Sequence, residues 1–432
     1  MTMKWLTAFA LVLLIGGTLI ATNQIDAERY GGSFRLDTGE VVTGGVFVER
    51  AGDPERFVYM DTATRIKGGL FERVDDQLQA VGAPGGATIE FLPGTDRRSD
   101  RIRWREPGQP VAEGVRIAPH IVQSVRIPTS DGQTLNGRLL IPDCRGSHPL
   151  VVLVGGSGPS TKYGGPFETF FVQLGMAVLT YDKRGVGTPG WTEPDLSVLA
   201  ADAAAALQFG SRLDIVDARR AGLWGSSQGG WVAPMAAATT SAAFLIVRAG
   251  PGVSEGETNL HEVRQELRQD GMTGLDLDAA VELRRAIYAL AIEGLPIAAA
   301  DALAEPYLNE AWYRTAFGNG PISSLWTPVR WRWATKNLAI TAVPSLRRYR
   351  GPVLWFLAER DENVPLVPSR TALARVFAER APAAGELVVL EGANHAFFID
   401  QGGAQRYTAG YWDRIAQWLA QRGLSEPGCW AA

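Results

Sequence analysis

Cysteine and histidine are scarce in this chain: 432 residues contain two of the first and four of the second. Two cysteines exclude a scaffold held together by many disulfides. At most one bridge, Cys144 to Cys429, is available, and the sequence leaves that bridge and two unpaired thiols equally open. A block of one charge is also missing. Lysine and arginine number 42 against 46 aspartates and glutamates, for a net charge of −4. The densest basic pairs, Arg97-Arg98 and Arg347-Arg348, are isolated and read as solvated faces. This balance implies no nucleic-acid partner and no polyanion. The Gly155-Gly156-Ser157-Gly158 stretch lacks the lysine and the serine or threonine that a phosphate-cradling loop needs at fixed spacing.

What is present begins with an N-terminal leader pattern. Lys4 precedes an apolar run from Trp5 to Ala21, followed by the polar residues Thr22-Asn23-Gln24. This is the layout of a secretory signal. Cleavage fits after Ala27 or Ala21. The run is also close to the roughly 17 to 25 residues that span a bilayer, so residues 1–27 stand as a signal peptide or an uncleaved membrane tether through residues 5–21. Either reading places the remainder outside the cytoplasm, periplasmic, secreted or anchored.

Residues 28–115 show short alternating runs, among them Val41 to Val48, Arg56 to Met60 and Ala87 to Leu92, separated by glycine, proline and aspartate. The pattern predicts a small antiparallel β module. It is far too short for a many-bladed propeller. From His120 the rhythm changes. Ile121 to Pro128 and Thr134 to Pro142 flank the turn Ser130-Asp131-Gly132 and predict a hairpin. Continuous apolar runs follow at Leu150 to Val154, Ala177 to Tyr181, Ala221 to Trp224, Ala243 to Val247, Val353 to Leu357 and Leu387 to Leu390. Helix-compatible stretches lie between them at Pro166 to Leu174, Leu196 to Gly210, Gly230 to Ala238, Ser369 to Arg380 and Tyr407 to Gln421. Apolar strands alternating with helices predict a mostly parallel sheet covered on both faces. The alternation breaks over residues 251–350, far longer than an ordinary crossover. Apolar residues at helical spacing in Leu275 to Gly294 predict a mostly helical cap. The core sheet is thereby divided into residues 116–250 and 351–432.

The strongest motif is Gly225-Ser226-Ser227-Gln228-Gly229, set directly after one apolar run and before a helical stretch. A sharp strand-to-helix turn lifts the central hydroxyl above the sheet edge, which marks Ser227 as a nucleophile; Ser226 is off the glycine register. A hydroxyl needs a base to take its proton. His120 and His148 precede the first core strands and His261 opens the insertion, which leaves His395, in Gly392-Ala393-Asn394-His395. A carboxylate must then orient the imidazole. Asp361, between the run Val353 to Leu357 and Val364-Pro365, is favoured over its neighbours Glu359 and Glu362, and Asp400 is too close to His395 in sequence. Acyl transfer also requires donors for a developing oxyanion. The expected pair is the backbone N–H of Gln228 and that of Ser157 in the glycine-rich loop.

On these motifs, together with Tyr181-Asp182-Lys183-Arg184-Gly185-Val186-Gly187, the chain resembles the α/β-hydrolase superfamily over roughly His120 to Leu419, in its esterase and prolyl-oligopeptidase-like (dienelactone hydrolase-like) branch. Relatives often begin the first loop with histidine-glycine where this chain has Gly155-Gly156, a departure that bears on loop geometry. The resemblance implies the α/β-hydrolase fold with a cap and an N-terminal β module. It also implies a serine hydrolase, a carboxylesterase acting on a small ester through an acyl-enzyme, with no metal or cofactor. A peptidase, amidase or acyltransferase of the same fold is the alternative, and a binding protein without activity a further one. The 182–187 segment is expected to be structural, with Arg184 in an ion pair. Tyr307, Trp312, Tyr313, Phe317, Trp326, Trp331 and Trp333 are read mainly as cap packing, and otherwise as the wall of an acyl pocket. Substrate-binding residues stay unassigned.

Overall fold

In the computed structural model, residues 30–429 are described except 48–55, 62–67, 75–76, 82–87, 93, 95–98, 382–383, 402–403 and 409. The leader, residues 1–27, and the Arg97-Arg98 pair lie outside the described residues. Among those described, no helix is long and apolar enough to cross a membrane.

The N-terminal strands β1 (Gly32–Leu36), β2 (Val41–Phe47), β3 (Arg56–Asp61), β4 (Gly68–Val74), β5 (Gln77–Val81), β6 (Thr88–Leu92), β7 (Arg101–Arg105) and β8 (Ala112–Ile117) are paired throughout as antiparallel neighbours and close into a barrel. The alternating runs predict the strands. Closure comes from β1 meeting β8, with Ser33 opposite Ile117 and Leu36 opposite Gly114, a pairing between distant segments that no local pattern encodes. Phe34, Leu36, Val42, Ile89, Phe91, Ile102 and Trp104 fill the interior. Gly114 belongs to the same packing: a Cβ there would lie 2.7 Å from Ile102 and 2.9 Å from Leu36.

The second sheet has the order β16-β15-β14-β13-β11-β12-β10-β9. Its hairpin, β9 (His120–Pro128) and β10 (Thr134–Pro142), is antiparallel, with Thr134 opposite Pro128. The parallel strands are β11 (His148–Val154), β12 (Ala177–Tyr181), β13 (Val216–Ser226), β14 (Leu245–Arg248), β15 (Val353–Ala358) and β16 (Gly385–Leu390). An unbroken apolar run serves two faces because successive side chains point oppositely. Leu150, Val152 and Val154 enter one core with Trp355 and Leu357, while Val151 and Leu153 enter the other with Leu354 and Phe356. The first core is covered by α2 (Leu196–Gly210), α3 (Gly229–Ala237) and α11 (Leu366–Ala378), the second by α1 (Pro166–Gln173) and α12 (Tyr411–Ala420).

Two elements differ most from the sequence reading. Strand β13 starts five residues before Ala221, because Val216–Arg220 carries polar residues on an irregular, partly exposed stretch beside β11. The last helix starts at Tyr411, not Tyr407, because β18 (Ala404–Tyr407) pairs with β17 (Phe398–Gln401). Cys144 and Cys429 are joined in a disulfide across 285 residues, which settles their pairing.

The insertion is helical, as the sequence predicts: α4 (Glu255–Gln269), α5 (Gly274–Ile292), α6 (Ile297–Ala304), α7 (Ala311–Phe317), α8 (Ile322–Leu325), α9 (Pro328–Asn337) and α10 (Val343–Arg348). It opens on a capping box in which Ser254 and Glu257 each bond the other's backbone N–H. It is tied to the sheet by polar contacts. Buried Asn337 accepts from the N–H of Leu196 at 2.8 Å, capping α2 from outside the helix, and Trp333 donates to the carbonyl of Pro194 at 3.1 Å.

Candidate active site

Ser227 occupies the turn between β13 and α3 at φ 53°, in the left-handed region that L-residues other than glycine seldom adopt. The turn is held on both sides. The Ser227 N–H donates to the carbonyl of Arg248 at 2.9 Å, and the Gly230 N–H donates to the carbonyl of Ser227 at 2.7 Å. The flanking glycines are required by contact. A Cβ on Gly225 would lie 2.4 Å from the Gly229 oxygen, and one on Gly229 would lie 2.7 Å from the Val154 oxygen. Ser226 points elsewhere, accepting from the buried Arg248 guanidinium at 2.9 Å.

His395, in the loop after β16, places Nε2 3.0 Å from Ser227 Oγ. Its Nδ1 faces Asp361 Oδ1 at 2.8 Å and Oδ2 at 3.0 Å. Asp361, in the loop after β15, is buried, and its Oδ1 also accepts from the N–H groups of Asn363 and Val364 at 3.0 and 2.9 Å. Three residues separated by up to 168 positions thus converge at the carboxyl ends of the parallel strands β13, β15 and β16. The neighbouring acids hold the histidine loop from below. Glu359 accepts from the Gly392 N–H at 2.7 Å and Glu362 from the His395 N–H at 3.1 Å.

The loop after β11 runs alongside the serine. A Cβ on Gly156 would come 3.3 Å from Ser227 Cβ and 3.9 Å from its Oγ. Ser157 follows, exposed, while Gln228 is buried where α3 begins, so its backbone lies at the positive end of the helix. Sequence reasoning missed what lies beneath this loop. The ammonium of Lys183 is buried and donates to the Gly156 carbonyl at 2.6 Å, to Glu193 at 2.8 Å and to the Gln228 side chain at 3.0 Å. Burial pulls its pKa below the ordinary lysine value, against the opposing pull of Glu193. Neither Lys183 nor Glu193 lies in a periodic pattern, so only the fold reveals the pairing. Arg184 forms the ion pair expected of it, bonding Asp131 at 2.6 Å and Asp202 at 3.0 Å.

Above the strand ends, His261 of α4 lies 3.3 Å from the carbonyl of Asp361, so it meets backbone and not the reacting atoms. His120 opens β9 and His148 opens β11, both buried; Asp400 sits in β17. On α4 the Glu255 carboxyl is pushed up to about 7, first by burial and then by Glu262. Trp312, Tyr313, Phe317, Trp326 and Trp331 are buried in the helical insertion's own core, with Tyr313 and Phe317 stacked at 5.0 Å, whereas Tyr307 is exposed. Packing within the insertion is therefore the reading that these five take.

Comparison with known proteins agrees with this architecture. The description "Alpha/beta hydrolase family" matches residues 150–405, more than half of the chain. The chain belongs to the alpha/beta hydrolase family. Two uncharacterised proteins of Mycobacterium tuberculosis are relatives. One, from strain CDC 1551 / Oshkosh, is 33% identical over 169 residues, 39% of this chain and 58% of the relative. The other, from strain H37Rv, is 33% identical over 149 residues, 34% of this chain and 52% of the relative. The chain thus spans between half and two thirds of the curated relatives it matches. Among solved structures, the Pyrococcus furiosus esterase Pf2001 is 15% identical, with 70% of this chain and 93% of that one covered and a TM-score of 0.43. The alpha/beta hydrolase GrgF from Penicillium sp. sh18 is 20% identical, with 70% and 97% covered and a TM-score of 0.44.

Proposed function

We propose that this hydrolase is a serine carboxylesterase, exported or membrane-anchored outside the cytoplasm, acting through Ser227, His395 and Asp361. The observation that carries the reading is the pair of contacts on one imidazole, 3.0 Å to Ser227 and 2.8 Å to Asp361. Both lie within the range for proton transfer and for orientation by a carboxylate. His395 Nε2 accepts the Ser227 proton as Oγ attacks the ester carbonyl. The bond between Oγ and the carbonyl carbon forms, and the former carbonyl oxygen takes the negative charge. The N–H groups of Gln228 and Ser157 receive that charge. Collapse of the intermediate breaks the bond to the leaving oxygen, which takes the proton from His395 and departs as alcohol. Water then attacks the acyl carbon while His395 takes its proton; the bond from that carbon to Oγ breaks, Ser227 takes the proton back from His395 and the acid departs. Asp361 keeps the proton on Nδ1 and stabilises the transient imidazolium. The disulfide, stable in oxidising compartments, and the leader pattern support export.

The test is labelling with a fluorophosphonate probe, followed by turnover of short p-nitrophenyl esters against aminoacyl anilides. Labelling that Ser227→Ala abolishes, with esters turned over faster, is expected. Faster anilide turnover replaces esterase with peptidase. Absence of label, or equal label on Ser227→Ala, removes the nucleophile and leaves a binding protein.

A further inference from the structure

Under the loop after β11 lies a buried cation whose contacts all lead to one place. We propose that Lys183 is the positioning residue of the oxyanion hole, acting through backbone it bonds and not through the substrate; this rests on the serine hydrolase reading above. Three bonds define its reach: Gly156 O at 2.6 Å, Glu193 Oε1 at 2.8 Å and Gln228 Oε1 at 3.0 Å. Glu193 extends the network, since its Oε2 accepts from the Gly158 N–H at 2.8 Å. Lysine main chain joins in as well, its N–H donating to the Ser160 carbonyl at 3.0 Å. One side chain and its counterion therefore fix the loop at 156 and 158 and hold the side chain of the residue that follows the nucleophile, while the lysine main chain fixes the loop at 160.

The decisive contact is the one to Gly156 O. That carbonyl and the Ser157 N–H belong to a single peptide unit, which is planar and trans, so they point in opposite directions. Anchoring the carbonyl on a buried ammonium points the Ser157 N–H the other way. A Cβ on Gly156 would lie 3.3 Å from Ser227 Cβ and 3.9 Å from its Oγ, so this peptide borders the serine. A charged donor on the carbonyl also polarises the unit and strengthens the N–H as a donor. Gln228 is served at the same time. Its Oε1 is held by the same ammonium while its backbone N–H begins α3, so one residue bonds the peptide of one expected donor and the side chain of the other. A cavity of about 20 Å³, room for one water, adjoins Lys183 between Tyr181, Ser160 and Val232.

The experiment compares wild type with Lys183→Met, which keeps length and removes charge, and with Glu193→Gln, which keeps the shape of the counterion. Loss of one oxyanion donor costs about a hundredfold or more in kcat, so a misdirected donor is expected to lower kcat by roughly tenfold to a hundredfold with KM near the wild-type value. The inhibition constant of a trifluoromethyl ketone, whose serine adduct carries the oxyanion, is expected to rise by the same factor, while fluorophosphonate-accessible Ser227 is retained. Glu193→Gln is expected to give a smaller loss of the same kind, and it tests the network if Lys183→Met does not fold. A folded Lys183→Met enzyme with unchanged kcat and ketone affinity overturns the proposal, as does a rise in KM alone. A wild-type enzyme that takes no label overturns the serine hydrolase reading itself, and this proposal with it.

Discussion

The two β systems of this molecule handle their strand ends in opposite ways. In the barrel, adjacent antiparallel strands end on alternate rims and each strand edge is paired, so the described interior is filled by Phe34, Ile89, Ile102 and their neighbours. In the open sheet, β11, β13, β14, β15 and β16 run parallel, and all their carboxyl ends lie along one crest. Ser227, Asp361 and His395 follow three of those ends. Parallel order gathers loops from distant sequence into one place, and antiparallel closure uses the same backbone to seal a core. The barrel is fastened to the sheet at α1, where Thr169 donates to the Gly44 carbonyl at 3.2 Å and Gly45 packs on Gly165.

The sharpest break between the two regions is expected at the crest. Asp361→Asn replaces an acceptor of the Nδ1 proton with an amide that permits the wrong tautomer, and kcat for a p-nitrophenyl ester is expected to fall by about 10⁴-fold. The thermal transition of the variant is expected to stay that of a folded protein. A loss below tenfold would mean that Glu359 or Glu362 orients the histidine instead. A second change probes the junction. Arg138 and Glu168 form a buried pair at 2.9 Å between β10 and α1, and Glu168 also accepts from the Gly164 N–H at 2.9 Å. Arg138→Met leaves the carboxylate buried without its cation, and urea denaturation is expected to show a loss of about 3–5 kcal/mol. The smallest effect belongs to the barrel contact. A Cβ at position 45 would come 2.5 Å from the Gly165 oxygen, so Gly45→Val forces the barrel off α1. A stability loss of about 1–3 kcal/mol is expected from such overpacking, with kcat unchanged. If Gly45→Val lowers kcat in the folded enzyme, the barrel is coupled to the crest and the division between the regions fails.

Much of the core was legible because its signals are local. The apolar runs around Val152, Leu179 and Trp355 locate strands by composition alone, and Gly225 to Gly229 marks the elbow since close backbone contacts there admit no Cβ. Elimination among four histidines singled out His395 for the same reason: a motif and an order along the chain suffice. What remained hidden involves partners far apart. Barrel closure joins β1 to β8, the disulfide joins 144 to 429, and β17 with β18 replaces the start of a helix that composition alone suggests. Glu362 reads in sequence as a rival to Asp361, and only the fold shows it bonded to the His395 backbone.

By itself, then, the sequence determined the succession of strands and helices, the helical insertion and the three residue types at the strand ends. These follow from side-chain periodicity and from turns that only certain residues permit. The tertiary structure alone decided that the β module is a barrel and that Lys183 bonds both Gly156 and Gln228. Such contacts depend on which segments a compact fold brings together. Spacing along the chain carries no record of that.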